Sequence, residues 1–145
     1  MSVSVRIKQK GLFKKKLSIE EIIKITNLSF GVCDENYRLI KNEIANHTLI
    51  YDENKLARGI DISLDDKDII LLLNLPTSSS EIRTFYDVIE KICNELNIKQ
   101  YIREEETVSL NDKEKFIEYD EKGSIAGLES LQKEIEKDNY KSSHT

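Results

Sequence analysis

The sequence predicts an α+β domain, a mainly antiparallel sheet packed by one long amphipathic helix with further short helices. Three observations carry it. Residues 2–8 alternate Val3, Val5 and Ile7 with Ser4, Arg6 and Lys8, the period of two that marks a half-buried strand. Residues 59–75 place a second alternation and an apolar run on either side of a charged turn. Ile82, Phe85, Ile89, Ile92, Cys93 and Leu96 then recur at steps of three and four, which aligns them on one stripe of a helix. Strands that cluster together, rather than alternating strictly with helices, point to α+β and not to a doubly wound sheet.

Taken in order, the first strand ends before Gly11, and Lys14-Lys15-Lys16 falls in a loop. Ser18 is an N-cap candidate with Glu21 three residues on, and Leu17 and Ile22 are spaced as a hydrophobic staple, so a short helix follows from 19 to about 27. Short β segments are expected at 30–33, 38–44 and 48–51. Residues 59–64 alternate Ile60, Ile62 and Leu64 with Asp61 and Ser63. Asp65-Asp66-Lys67-Asp68 turns the chain, and 69–75 reads as a strand covered on both faces, so the pair forms a hairpin at the centre of the sheet. Pro76 stops it, Ser78 with Glu81 starts the long helix, and that helix ends near Asn97. Tyr101-Ile102 adds a strand, and 103–107 is a charged turn. Asn111 with Glu114 caps a short helix through Phe116 and Tyr119. Ser124 caps another on which Ile125, Leu128, Leu131 and Ile135 share a face.

With 145 residues, the length suits one domain, expected over residues 1–137 with a polar, frayed tail at 138–145. Mean hydropathy is -0.48, and no apolar run is long enough to span a bilayer. Residues 1–24 carry seven basic against two acidic groups, while the rest holds 15 basic against 25 acidic. So acidic a body repels phosphate backbones, which disfavours a nucleic-acid partner. Ile, Lys and Asn make up 47 residues against 14 Ala, Gly, Pro and Arg, the skew of AT-rich codons in a low-GC bacterium. The alternating residues 1–10 read as neither a signal peptide nor an anchor, so a cytoplasmic location with reduced thiols is expected. Asn27-Leu28-Ser29 and Asn46-His47-Thr48 are then chance glycosylation matches.

Residues able to carry chemistry are few. Asp61, Asp65, Asp66 and Asp68 lack the glycine and distal glutamate of a calcium loop, and two cysteines with two histidines fall short of a zinc site. Neither a metal nor a cofactor is expected. Cys33 with His47 has nothing to orient it as a nucleophile and base, and Cys93 falls on the apolar stripe. Ser78-Ser79-Ser80 has no glycine or following lysine, so capping explains it better than phosphate binding. Arg58-Gly59 marks a bulge or a close backbone approach. The expectation is a non-enzymatic protein that binds an unidentified, basic protein partner, as a regulatory, adaptor or immunity-type protein. Its interaction surface would be Glu104, Glu105 and Glu106, with Asp65, Asp66 and Asp68 as a second group. The alternative is a small enzyme or nucleic-acid-associated factor using the basic patch Lys14, Lys15 and Lys16.

Arg58-Gly59 before an alternating strand, Leu75-Pro76-Thr77-Ser78 entering a helix with Phe85, Ile89, Ile92 and Leu96, and a closing Gly127-Leu128 helix form one arrangement. Together with Met1-Ser2-Val3 and Leu17-Ser18-Ile19 it resembles an uncharacterised family of Gram-positive bacterial proteins, classed as a domain of unknown function, over most of residues 1–137. The resemblance implies a compact α+β bacterial domain whose relatives run longer, and it assigns no functional residue.

Overall fold

The computed structural model describes residues 2–9, 15–26, 32–33, 39–40, 43–44, 47–50 and 59–143. The strands are β1 (Ser2–Ile7), β2 (Val32–Cys33), β3 (Leu39–Ile40), β4 (Glu43–Ile44), β5 (His47–Ile50), β6 (Ile60–Asp65), β7 (Asp68–Asn74), β8 (Gln100–Arg103) and β9 (Glu106–Ser109). The helices are α1 (Ile19–Thr26), α2 (Ser79–Glu95) and α3 (Lys113–Ser143), the last entered through one 3-10 turn at Leu110–Asp112. The main sheet runs β4-β5-β6-β7-β1-β8-β9, and β2 with β3 forms a separate pair. All pairings are antiparallel, so the α+β class read from the sequence is the architecture observed.

Alternation in β1 places Val3, Val5 and Ile7 on the same face as Ile69, Leu71 and Leu73 of β7, through the register Val3↔Leu73, Val5↔Leu71 and Ile7↔Ile69. Across this face lies α2, whose Ile82, Phe85, Val88, Ile89, Ile92 and Cys93 are buried in one cluster with those strands and with Leu17 and Ile22 at α1. On the opposite face Ile70 and Leu72 are only half-buried, so the apolar run of β7 is not sealed equally on both sides.

Both caps form. The Glu21 N–H donates to Ser18 Oγ at 3.1 Å, and the Glu81 N–H donates to Ser78 Oγ at 3.1 Å. The Glu81 carboxylate also reaches the residue ahead of the cap and the start of the β6 segment. Buried at 1% exposure, it accepts from Thr77 Oγ1 at 2.7 Å and from the Gly59 N–H at 3.2 Å. Gly59 has φ 89°, a conformation that a residue with a Cβ resists. The glycine of Arg58-Gly59 thus serves a close approach of backbone to a buried carboxylate; Arg58 lies outside the described residues.

Two readings are corrected. Residues 103–107 are not a turn alone: Glu104 and Glu105 form a two-residue connection, and Glu106 begins β9, paired Arg103↔Glu106 and Tyr101↔Val108. The two helices expected around 111–119 and 124–135 are one helix of 31 residues. Ser124 does not cap a new helix, because its hydroxyl accepts the Thr77 N–H at 3.2 Å. The backbone stays helical to Ser143, into the segment read as a polar tail.

Burial has a consequence at high pH. It pushes the Cys93 thiol and the Tyr101 hydroxyl each up to about 12, and burial together with a bond to Asp120 pushes Tyr86 far above the usual tyrosine range. Each group holds its proton more tightly folded than unfolded. The unfolded chain therefore gives up protons first, and stability that is complete below about pH 9 drains away as pH rises toward about 12. In an ultraviolet titration Tyr86 and Tyr101, of the chain's six tyrosines, are expected to ionise only as the fold is lost. Six ionisations near the ordinary tyrosine value with intact circular dichroism would contradict this.

Candidate functional site

The two acidic groups sit at opposite ends of the sheet. Asp65, Asp66 and Asp68 belong to the β6–β7 turn, beside the C-terminal end of β1, whereas Glu104, Glu105 and Glu106 belong to the β8–β9 turn, toward its N-terminal end. The first group is partly neutralised: Arg6 Nη1 bonds Asp65 at 3.2 Å and Asp68 at 2.9 Å. In the second, Glu104 extends the β1–β8 pairing beyond the end of β8. Its N–H donates to the Ser4 carbonyl at 3.0 Å, and its Oε1 accepts the Ser4 N–H at 2.8 Å, replacing a strand carbonyl that the turn has carried away. All three glutamates are exposed.

Lys14 lies outside the described residues. Lys15 and Lys16 are exposed, and Lys15 Nζ pairs with Glu95 at 3.0 Å. Cys33 falls in β2 and His47 in β5, and neither side chain is among those described. Cys93 is fully buried. No group of three or more His, Cys, Asp or Glu among the described residues could hold a metal ion, and no described helix is long and apolar enough to cross a membrane.

A cluster that the sequence did not reveal joins three elements beside the β8–β9 turn. The Tyr86 hydroxyl, from α2, donates to Asp120 Oδ2 on α3. Arg103, at the end of β8, donates through Nε to that hydroxyl at 3.0 Å and through Nη2 to Asp120 Oδ1 at 2.6 Å. Its guanidinium also lies 4.9 Å from the Phe116 ring centre and 5.5 Å from that of Tyr119, a cation–π arrangement. The pair is well removed from water, the Arg103 side chain being 11% and that of Asp120 1% exposed. Burial by itself would lower the Arg103 pKa, but the Tyr86 hydroxyl and the Asp120 carboxylate outweigh it and the value rises. A buried pair persists because each charge has hydrogen-bonding partners.

Arg103 and Asp120 also line a cleft of about 660 Å³ between the start of β1, the β8–β9 turn and α3, walled by Val3, Leu75 and Tyr119 and edged by Glu104 and Lys122. Its charged groups are thus the Arg103–Asp120 pair, the exposed Glu104, and Lys122, which also pairs with Glu118 at 3.1 Å. Such an apolar hollow with a few convergent polar groups suits recognition; it contains no described nucleophile activated by a base.

Fold and site together define a small α+β domain with an acidic turn beside a preformed cleft. The family described as a domain of unknown function (DUF4299) matches residues 2–143, and the chain belongs to that family. No curated protein and no solved structure matches the chain.

Proposed function

We propose that this domain is a cytoplasmic, non-catalytic binding protein, regulatory, adaptor or immunity-type, which meets a basic protein at its β8–β9 turn. One observation carries the reading. Glu104 and Glu105 occupy the two central positions of a tight hairpin at φ 47° and 70°, where Asn-Gly is the favoured choice. Left-handed backbone costs a residue with a Cβ of order 1–2 kcal/mol. Two adjacent glutamates at those positions, with Glu106 beside them, favour a use for the side chains, since stored strain collects at functional sites. The net charge of -5 adds long-range attraction for a basic partner.

The test is capture of a partner from the native host with the wild type and with two triple variants. Glu104→Gln, Glu105→Gln and Glu106→Gln should keep the fold, because an amide oxygen at position 104 can still accept the Ser4 N–H and exposed charges add little stability. It should weaken retention of a basic partner about tenfold or more, the scale of electrostatic steering. Undiminished retention would remove the turn from the interface. Bulk RNA lost only by Lys14→Glu, Lys15→Glu and Lys16→Glu would replace the reading with the basic-patch alternative.

A further inference from the structure

We infer that the cleft between β1, the β8–β9 turn and α3 is a binding site for a carboxylate carried on an apolar stem. Its volume of about 660 Å³ falls within the ~300–1,000 Å³ of ligand pockets. Val3, Leu75 and Tyr119 supply apolar wall. The charged end is selected by Arg103, whose Nε is committed to Tyr86 and whose Nη2 is committed to Asp120. Its Nη1 makes no hydrogen bond with a described residue. With its plane held against Phe116 and Tyr119, the guanidinium cannot swing away, so it offers an unspent edge already oriented for a carboxylate oxygen. The opposite charge is less well served. Asp120 already shares its two oxygens with Tyr86 and Arg103, and Glu104, whose Oε1 accepts from Ser4, stands exposed at the rim, so an ammonium head would meet one carboxylate shared and the other in water, where an ion pair contributes little. Lys122, exposed at the rim and paired with Glu118 at 3.1 Å, adds a second cation to the entrance.

Gly123 provides an independent indication. It sits inside α3 and lines the cleft, although glycine within a helix is disfavoured relative to alanine. Gly127 has a packing reason, since a Cβ there would meet Pro76 at 3.2 Å; a Cβ at Gly123 would meet no described residue within 4 Å. No described residue of the protein is a neighbour for which Gly123 makes room. A ligand lying along the helix backbone is such a neighbour.

The site does not depend on the acidic turn binding a partner, and its test uses small probes. Isothermal titration and amide chemical-shift mapping with hexanoate, hexylammonium and acetyl-Ala-Ala-Leu bearing a free C-terminal carboxylate separate the possibilities. Hexanoate is expected to bind at roughly 1 mM, within reach of eight non-hydrogen atoms, and to shift Arg103, Tyr119 and Gly123. Hexylammonium should bind at least tenfold more weakly. Gly123→Leu, which suits a helix better than glycine, should fold with a higher melting temperature and lose hexanoate affinity at least tenfold. The tighter of hexanoate and the tripeptide tells whether the natural carboxylate belongs to an aliphatic acid or to a peptide terminus. Equal or tighter hexylammonium binding, unchanged hexanoate binding in Gly123→Leu, or no binding of either carboxylate overturns the proposal.

Discussion

Replacing Asp120 with alanine is expected to destabilise the protein by about 3–5 kcal/mol, the cost of stranding a buried charge by removing its partner. The side chain is 1% exposed and holds Arg103 at 2.6 Å, and it is also the acceptor for Tyr86. Alanine would leave a guanidinium with its largest countercharge gone and a buried hydroxyl without an acceptor. Tyr86→Phe removes the hydroxyl and with it both the donation to Asp120 and the acceptance from Arg103 Nε, and should cost about 3 kcal/mol, since hydrogen bonds to charged groups contribute ~1.5–3 kcal/mol each and these two share one network. In the double variant the costs should fall short of their sum, because the two residues share one network. Chemical denaturation of the three variants measures this. A loss below about 1 kcal/mol for Asp120→Ala would mean that the cluster relaxes into water instead of bracing β8, α2 and α3.

Ile92→Ala should cost about 2–5 kcal/mol, through lost transfer energy and the cavity left behind. Ile92 has 0% exposure and belongs to the cluster that joins α2 to Val5, Ile7, Ile69 and Leu71. Close packing there leaves little freedom for neighbours to collapse into the gap. Asp120→Ala fails through an unpaired charge, whereas Ile92→Ala fails through a void, so only the second should recover with a volume-restoring Ile92→Leu or Ile92→Met. An unchanged melting temperature in Ile92→Ala would take α2 off the sheet.

These cases also mark where the sequence is informative. β1, the β6–β7 hairpin and the face of α2 were legible because each writes its burial into a period of two or 3.6. Even so, Glu81, Tyr86 and Val88 are buried beside the α2 stripe, which is wider than its apolar spacing suggests. β9 was not legible: Glu106, Thr107 and Ser109 surround the single buried Val108, and its turn lacks the glycine or asparagine that signals a hairpin. The break expected before Ser124 failed because a serine after a glycine looks like a cap, whereas here its hydroxyl serves Thr77 on another segment. The acidic run at 104–106 was visible as charge, but its strained backbone was not. Tyr86, Arg103 and Asp120 lie 17 residues apart in each step on three different elements. No local spacing rule connects them, and only the fold brings them together.

The most direct measurement is the association rate of the protein with its captured basic partner as a function of salt. Attraction at the β8–β9 turn acts over a Debye length that shrinks from ~10 Å at 0.1 M to ~3 Å at 1 M. The wild-type rate should therefore fall steeply with salt, and Glu104→Gln, Glu105→Gln and Glu106→Gln together should lower it at low salt and flatten the dependence, with dissociation little changed. A wild-type rate indifferent to salt, or a triple variant that associates as fast as the wild type at every ionic strength, would contradict docking through the acidic turn.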